Sequence, residues 1–283
     1  MVPSEAPSRV RPGASTVVHP TAALFLVFAV SCMAGSSALV SFPDRAALKK
    51  AVDSCLGKVN TGLDCCSLHG IAEDDTGICG VARTTNMPDW NTSLVTDMYF
   101  LFRNLHNFNN PSNEQKFNSK AFNQPLARWD TSSVTTMNQM FYDAAAFNQP
   151  LADWNTGKVA NMYKMFRGAT AFNQPLLPWD TSQVTGVSQM FRGATAFDQP
   201  LRSWDTSSMT TVSGMFQDAE SFNQAIGNWN MSGVLNTKDM FYGATAFNQP
   251  LAGWDTGRVT SMKGMFDRAT AFNKPLARWN TGR

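Results

Sequence analysis

The chain has 283 residues, of which 23 are Lys or Arg and 21 are Asp or Glu, so its formal net charge is only +2. This balance, without any basic run, argues against a nucleic-acid-binding protein, which normally concentrates basic side chains on one face. The three histidines, His19, His69 and His106, lie outside the regular repeats, and no catalytic arrangement can be assembled from those repeats. We therefore expect a protein that is not an enzyme and has no cofactor and no metal site.

A short apolar segment lies near the N terminus. The first residues are polar and carry two arginines, an apolar run follows over 21–35, and small residues lead up to Ala38. This order is typical of a secretory signal peptide, so we predict a signal at 1–38 that is cleaved after Ala38 or, as a second choice, after Ala34. The alternatives are an uncleaved anchor at 21–35, although about 20 apolar residues are needed to cross a membrane, and a lipidation site at Cys32.

Residues 39–89 contain no copy of the repeat and are predicted to form a small N-terminal cap. The spacing of apolar residues predicts a helix from Arg45 to Leu56, with Asp44 as its N-cap and Gly57 at its end. Solenoids need a terminal segment that covers the first coil, and this region is placed to do so.

Four cysteines remain in the cap once the signal is removed. An even number of cysteines in a short stretch of an exported chain indicates disulfides, and we predict two. A zinc site is the alternative, but adjacent cysteines near His69 do not give the usual C-x-x-C spacing. The four candidates are Cys55, Cys65, Cys66 and Cys79.

A repeat of 25 residues fills the rest of the chain, 90–283, with a polar loop inserted at about 112–121. A fixed period of this size is typical of a solenoid, in which each unit buries its apolar face against its neighbours. The repeated tryptophans are Trp129, Trp154, Trp179, Trp204, Trp229, Trp254 and Trp279, after a divergent first copy at Trp90. The repeated phenylalanines are Phe147, Phe172, Phe197, Phe222, Phe247 and Phe272, which we expect to form an internal column.

Each unit predicts one short helix and one extended stretch. Asp or Asn followed by Thr after the tryptophan is typical of a helix N-cap, and the apolar spacing from Val134 to Ala144 indicates one helical face. Gly168, Gly193 and Gly243 are placed where such helices end. The Phe-Asn-Gln-Pro-Leu stretch is predicted to be extended and to stack in parallel on its neighbours. A ladder between coils is expected from Asn148, Asn173, Asn223, Asn248 and Asn273. Asp198 replaces asparagine once, which a surface ladder tolerates.

The string FNQPLxxWDTSxVTxMxxMFxxAxAFNQPL resembles the 25-residue repeat of the BspA-like leucine-rich-repeat surface proteins. This version of the repeat is known from mycoplasma surface lipoproteins and from exported proteins of algae and protists. The resemblance implies a leucine-rich-repeat-like α/β solenoid at the cell surface or outside the cell, with no catalytic residues to transfer. The chain departs from the pattern at Ala225-Ile226 and Thr237-Lys238, so we expect the coil that begins at Trp229 to be irregular.

Several residues allow a functional interpretation beside a structural one. The tryptophan column would suit sugar stacking, but its strict phase favours a core role. A column at Asp130, Asp180, Asp205 and Asp255 would suit calcium, but Asn replaces Asp in other copies, which favours capping. Arg167, Arg192 and Arg268 are interpreted as a solvated face. Asn91 and Asn230 begin N-glycosylation sequons.

We predict a secreted or cell-surface repeat protein whose solenoid face binds a protein or a glycan. The alternative is a structural spacer in a wall or matrix. Contact with a membrane is expected only through an uncleaved 21–35 segment. The sequence stops at Arg283 part-way through a unit, which indicates either end-to-end self-association or a truncated gene.

Overall fold

The described part of the chain contains one α-helix, which precedes the repeats. The computed structural model describes residues 41–58, 87–103 and 119–280, all within one compact unit. Helix α1 spans Arg45–Lys58, and two short 3₁₀ helices span Met87–Asp89 and Ser119–Ala121. The predicted signal, most of the predicted inserted loop and the cysteines other than Cys55 lie outside the described residues. No helix within those residues is long and apolar enough to cross a membrane.

Helix α1 begins where the sequence predicts. The Asp44 carboxylate accepts a hydrogen bond of 2.9 Å from the Ala47 amide, which satisfies one of the free N–H groups of the first turn. Leu48 and Val52 are fully buried. The helix continues through Gly57 to Lys58, so the predicted end at Leu56 is wrong by two residues.

The segment that carries α1 contacts the first coil of the array. Ser41 and Asn91 form a parallel bridge, and the rings of Phe42 and Trp90 lie 5.1 Å apart. The Arg45 Nε donates a hydrogen bond of 2.9 Å to the Tyr99 carbonyl. These contacts place residues 41–58 against the start of the stack.

Successive coils are joined in register by backbone hydrogen bonds. In the coil that begins at Trp129, the amides of Met137, Gln139 and Phe141 each donate, at 2.9 Å, to a carbonyl 24 residues further along the chain. A single parallel bridge per coil repeats this register from Asp97 to Ser261. The bridges stay isolated, so no longer strand forms in the described coils.

The helix predicted from Val134 to Ala144 is not formed, and this prediction was wrong. Gln139 and Asp143 both have a φ of 56°, a left-handed conformation that interrupts a right-handed helix. The segment is instead a run of turns, with hydrogen bonds from Met140 to Met137 and from Ala144 to Phe141. Positive φ at the third residue is what a type II turn requires.

A competition for hydrogen bonds explains the difference. A helix would commit each amide to a carbonyl four residues earlier in the same coil. The turns leave alternate amides free to bond the next coil, which satisfies them throughout the stack. The glycines predicted to end the helices occupy the same left-handed turn position, with φ of 71°, 69° and 67° at Gly168, Gly193 and Gly243.

In the described coils the Phe-Asn-Gln-Pro-Leu stretch carries no backbone bridge, so the predicted position of the strand was also wrong. The predicted asparagine ladder is confirmed: the Asn173 amide donates to Asn148 Oδ1 at 2.9 Å. Asp198 continues the ladder, because its amide donates to Asn173 Oδ1 and its own Oδ1 accepts from Asn223. A carboxylate oxygen accepts as well as an amide oxygen does, so the ladder tolerates the substitution, as predicted.

Two phenylalanine columns fill the core, including the predicted one. The Phe147 and Phe172 rings are 6.0 Å apart within one column, and those of Phe141 and Phe166 are 5.5 Å apart within the other. The Phe141 and Phe147 rings lie 4.0 Å apart between the columns. All four rings are fully buried, so each coil packs aromatic area against both neighbours.

The coil that begins at Trp229 keeps the register of the others, and the predicted irregularity was wrong. The Thr237 amide still donates to the Ser261 carbonyl at 2.9 Å, and the Thr237 hydroxyl donates to the same carbonyl. Met231, which replaces the usual threonine, is 1% exposed. The next coil is less covered, since Phe272 and Trp279 are only partly buried.

Candidate binding face

The turns present outward side chains along one side of the stack. In the coil that begins at Trp129, Met140 and Phe141 are fully buried, whereas Asn138, Tyr142 and Asp143 are partly exposed. We call these outward positions, together with the residues beside them in the turns, the turn face; Gln139, Gly214 and Gly243 within it are buried. It consists of 99–100 and 103, 138–139 and 142–143, 163–164 and 167–168, 188–189 and 192–193, 213–214 and 217–218, 238–239 and 242–243, and 263–264 and 267–268.

The copies differ on the turn face while the adjacent core positions stay the same. The Met-Phe pair and the alanine of the turn segment recur in each copy from Trp129 to Trp254. Outward substitutions usually change stability little, so this face can diversify without loss of the stack. At the position of Tyr142 the later copies have Arg167, Arg192, Gln217, Tyr242 and Asp267.

Cationic groups stack on aromatic rings at the N-terminal end of this face. The Arg103 guanidinium lies 4.2 Å from the centroid of Phe100 and 4.8 Å from that of Tyr142. The Arg167 guanidinium lies 5.0 Å from the Tyr142 centroid and donates a 3.2 Å hydrogen bond to Gln189. These distances fall within the range of cation–π attraction, which orients the guanidinium groups.

Asp143 is the one carboxylate among these cations. Its burial raises the pKa of the Asp143 carboxyl, while Arg167, Arg103 and Lys120 act in the opposite direction. The carboxylate lies where a side chain on Gly168 would have to go. Gly168 is therefore required both for its positive φ and for the space that it leaves.

Charge is distributed unevenly along the turn face. The part from 99 to 193, which we call the basic half, is mainly cationic, whereas the part from 213 to 268, the neutral half, balances its charges. The basic half carries Arg103, Lys164, Arg167 and Arg192 against Asp143. The neutral half carries Lys238, Lys263 and Arg268 against Asp218, Asp239 and Asp267.

The tryptophan column is part of the core and is not available for sugar stacking. Trp179 is 2% exposed, and its ring stacks on Trp204 at a centroid distance of 6.5 Å. Its indole N–H donates to the Leu151 carbonyl at 2.9 Å. The same bond, to a carbonyl 28 residues earlier, recurs at Trp154, Trp204, Trp229, Trp254 and Trp279.

The predicted capping residues cap turns, because there is no helix for them to cap. The Asp130 Oδ1 accepts the Ser132 amide at 2.9 Å, and the Thr131 hydroxyl donates to the Asn155 carbonyl of the next coil at 3.0 Å. Hydrogen bonds from the serine two residues on lower the pKa of Asp130, Asp180 and Asp205. Within the described residues, no group of three or more acidic, His or Cys side chains is suited to a metal ion.

The structure describes only some of the other predicted sites. Cys55 is buried in α1 and is disulfide-bonded, but Cys65, Cys66 and Cys79 lie outside the described residues, so the two-disulfide framework stays a prediction. The two sequons differ: Asn91 is half-buried and takes part in the bridge with Ser41, whereas Asn230 is exposed.

Sequence reasoning missed the ordered part of the turn face. The sequence predicts a solvated Arg167, but the side chain is half-buried and stacked on Tyr142. Arg268 is exposed, and its guanidinium lies 5.3 Å from the Tyr242 centroid. All four tyrosines of the chain, Tyr99, Tyr142, Tyr163 and Tyr242, lie on this face. The signal was present as outward positions that vary at a fixed phase of the repeat.

The coils joined by backbone bonds define a repeat protein. A family model described as "Mycoplasma protein of unknown function, DUF285" matches residues 80–118, 112–224 and 199–283. These ranges cover more than half of the chain, which therefore belongs to this family. The match agrees with a repeat of the mycoplasma type and does not extend to a leucine-rich-repeat assignment. No curated protein and no solved structure matches the chain.

Proposed function

We propose that the chain is a non-enzymatic repeat protein, secreted or displayed at the cell surface, that binds a protein or glycan through its turn face. The observation that carries this proposal is the variation of outward residues among copies whose core residues are constant. A ligand that contacts several coils meets a different side chain in each, which allows specific recognition. A spacer would need no such variation.

The exported location rests on the predicted signal at 1–38, on the predicted cysteine pairs and on the resemblance to surface proteins. An anchor at 21–35 would keep the protein on the membrane with the array outside. The second candidate function is a structural spacer in a wall or matrix. It is favoured by the uninterrupted hydrogen-bond ladder between the coils from Asp97 to Ser261.

A screen of the purified chain on glycan and surface-protein arrays tests the proposal. A turn-face variant would combine Tyr142→Ser, Arg167→Ser, Arg192→Ser and Gln217→Ser. A control variant would combine Thr135→Ser, Thr185→Ser and Thr210→Ser, which are exposed in three of the same coils but lie off the turn face.

We expect the wild-type chain and the control variant to bind the same partner and the turn-face variant to lose it. Thermal melting would establish that both variants remain folded. A partner that binds the turn-face variant as tightly as the wild type would contradict the proposal. Failure to bind any array member, with the chain intact, would favour the spacer.

A further inference from the structure

We infer that the basic half of the turn face binds an anionic polysaccharide, one that carries carboxylate or sulfate groups along its length. This inference rests on the proposed function and names the ligand class for that face. The charge asymmetry supports it: Lys164, Arg167 and Arg192 lie in two successive coils whose turn-face positions contain no carboxylate. The nearest turn-face carboxylate, Asp143, belongs to the preceding coil. In the neutral half, three cations are balanced by three acidic residues, and Lys238 forms an ion pair with Asp239 at 3.8 Å.

Three of the four cations of the basic half are held against aromatic rings before a ligand arrives. Arg103 and Arg167 both stack on Tyr142, and the Lys164 ammonium lies 4.5 Å from the Tyr163 centroid. Stacking uses the flat face of a guanidinium and leaves N–H donors at its edge for an anionic oxygen. Because these side chains are already held, they lose less conformational entropy when a ligand binds.

The Arg192 side chain supplies a further donor. It makes no hydrogen bond or ion pair with any residue that the structure describes, whereas Arg167, one coil earlier, is already bonded to Gln189. Arg167 and Arg192 occupy the same position of successive repeats, so they are aligned along the direction in which the coils stack. A linear ligand with recurrent anionic groups can therefore meet one cation after another.

Two other classes of ligand fit this surface less well. An extended peptide that adds to a backbone edge needs free amides, but the amides of Gln139 and Lys164 already donate to the next coil at 2.9 and 3.1 Å. A neutral sugar needs an open aromatic face, but Tyr142 and Tyr163 are both covered by cations. Recognition through side-chain charge remains, and the exported setting makes a polysaccharide the polyanion within reach.

The experiment measures binding of the full chain to two probes, a heparin-type sulfated polysaccharide and polygalacturonate, by calorimetry at low ionic strength. Neutral dextran, poly-L-glutamate and duplex DNA are the comparison probes. The test variant is Lys164→Gln/Arg192→Gln, which removes two cations without touching the Arg167–Tyr142 contact. The matched control is Lys263→Gln/Arg268→Gln, which removes the same charge from the neutral half.

We expect the wild-type chain to bind at least one anionic polysaccharide and not dextran. The test variant should bind about tenfold more weakly, with a shallower dependence on salt, while the control should stay within about twofold. Tyr142→Leu, which removes the ring shared by two guanidinium groups but no charge, should weaken binding about two- to tenfold.

Several results would overturn the inference. These are the absence of binding to both polysaccharides, equal or tighter binding to poly-L-glutamate or DNA, an equal loss in the two double variants, and unchanged binding by Tyr142→Leu. If the array screen instead finds a partner that needs the turn face but is not anionic, this inference fails and the proposed function stands. If no partner needs the turn face, both fail.

Discussion

Replacement of Trp179 by alanine tests whether the tryptophan column holds the coils together. The Trp179 ring is 2% exposed and lies 6.5 Å from the Trp204 ring and 6.3 Å from the Phe166 ring. Truncation of a buried aromatic side chain costs about 3–5 kcal/mol. Loss of the indole donor removes one of the two hydrogen bonds to the Leu151 carbonyl, which still accepts the Trp154 amide at 3.2 Å, and this adds about 0.5–1.5 kcal/mol. The sum, about 3.5–6.5 kcal/mol, is comparable with the stability of a marginally stable domain.

The assay is urea unfolding followed by circular dichroism, with hydrogen exchange resolved by coil because repeat arrays lose two-state behaviour. Trp179→Phe keeps a ring in the column and should lose about 0.5–1.5 kcal/mol, chiefly from the lost hydrogen bond to the Leu151 carbonyl. Trp279→Ala is the matched control: its ring is only partly buried, so its loss should be smaller. Wild-type stability in Trp179→Ala, or a loss no larger than that of Trp279→Ala, would refute the core assignment.

Four further predictions concern the turns, the ladder, the acidic column and the cysteines. Gly168→Ala should destabilise the chain more than Gly193→Ala does in urea unfolding. Both positions have a positive φ, which costs an alanine about 1–2 kcal/mol, but only Gly168 faces the Asp143 carboxylate. Equal losses of stability would contradict this. Asn173→Ala should lose about 1–3 kcal/mol of unfolding free energy because the Asp198 amide loses its acceptor. Asn173→Asp keeps the acceptor and should be close to neutral. Equal effects of the two substitutions would argue against the ladder. The pKa of Asp130, Asp180 and Asp205 is lowered in the fold, so the stability that these carboxylates contribute is present above their ordinary pKa and is lost as pH falls below about 4. A variant with all three replaced by Asn should therefore show a smaller fall in melting temperature between pH 7 and low pH than the wild type does. An unchanged fall would count against this role of the carboxylates. Mass spectrometry of exported protein should find Cys55, Cys65, Cys66 and Cys79 oxidised as two disulfides; four free thiols would remove both the disulfides and the exported location.

The pairing on the turn face shows how far the sequence reaches toward the candidate site. The variable positions are readable from the repeat alone, since they differ where Met, Phe and Ala do not. Their contacts are not readable, because Arg103 and Tyr142 are 39 residues apart and only the stacked coils bring them to 4.8 Å. Because these contacts cannot be inferred from the repeat, the sequence alone predicts a solvated Arg167.

The sequence by itself determined the period, the core columns and the start of α1. Trp, Phe and Leu recur because each coil must bury the same apolar surface against its neighbour, and burial depends on residue type more than on backbone form. Asp44 was identifiable because an N-cap acts within three residues of its own position. These are local requirements, or requirements repeated identically in every copy.

Only the tertiary structure decided that the segment from Met137 to Ala144 is a run of turns. Its apolar spacing suits one face of a helix and, equally, the inward side of successive turns. Backbone amides decide between the two, such as those of Met137, Gln139 and Phe141. Their carbonyl partners lie 24 residues away in the next coil. Once the coils stack, those bonds satisfy the backbone across the whole array, and a helix in any one coil would leave its neighbours unpaired.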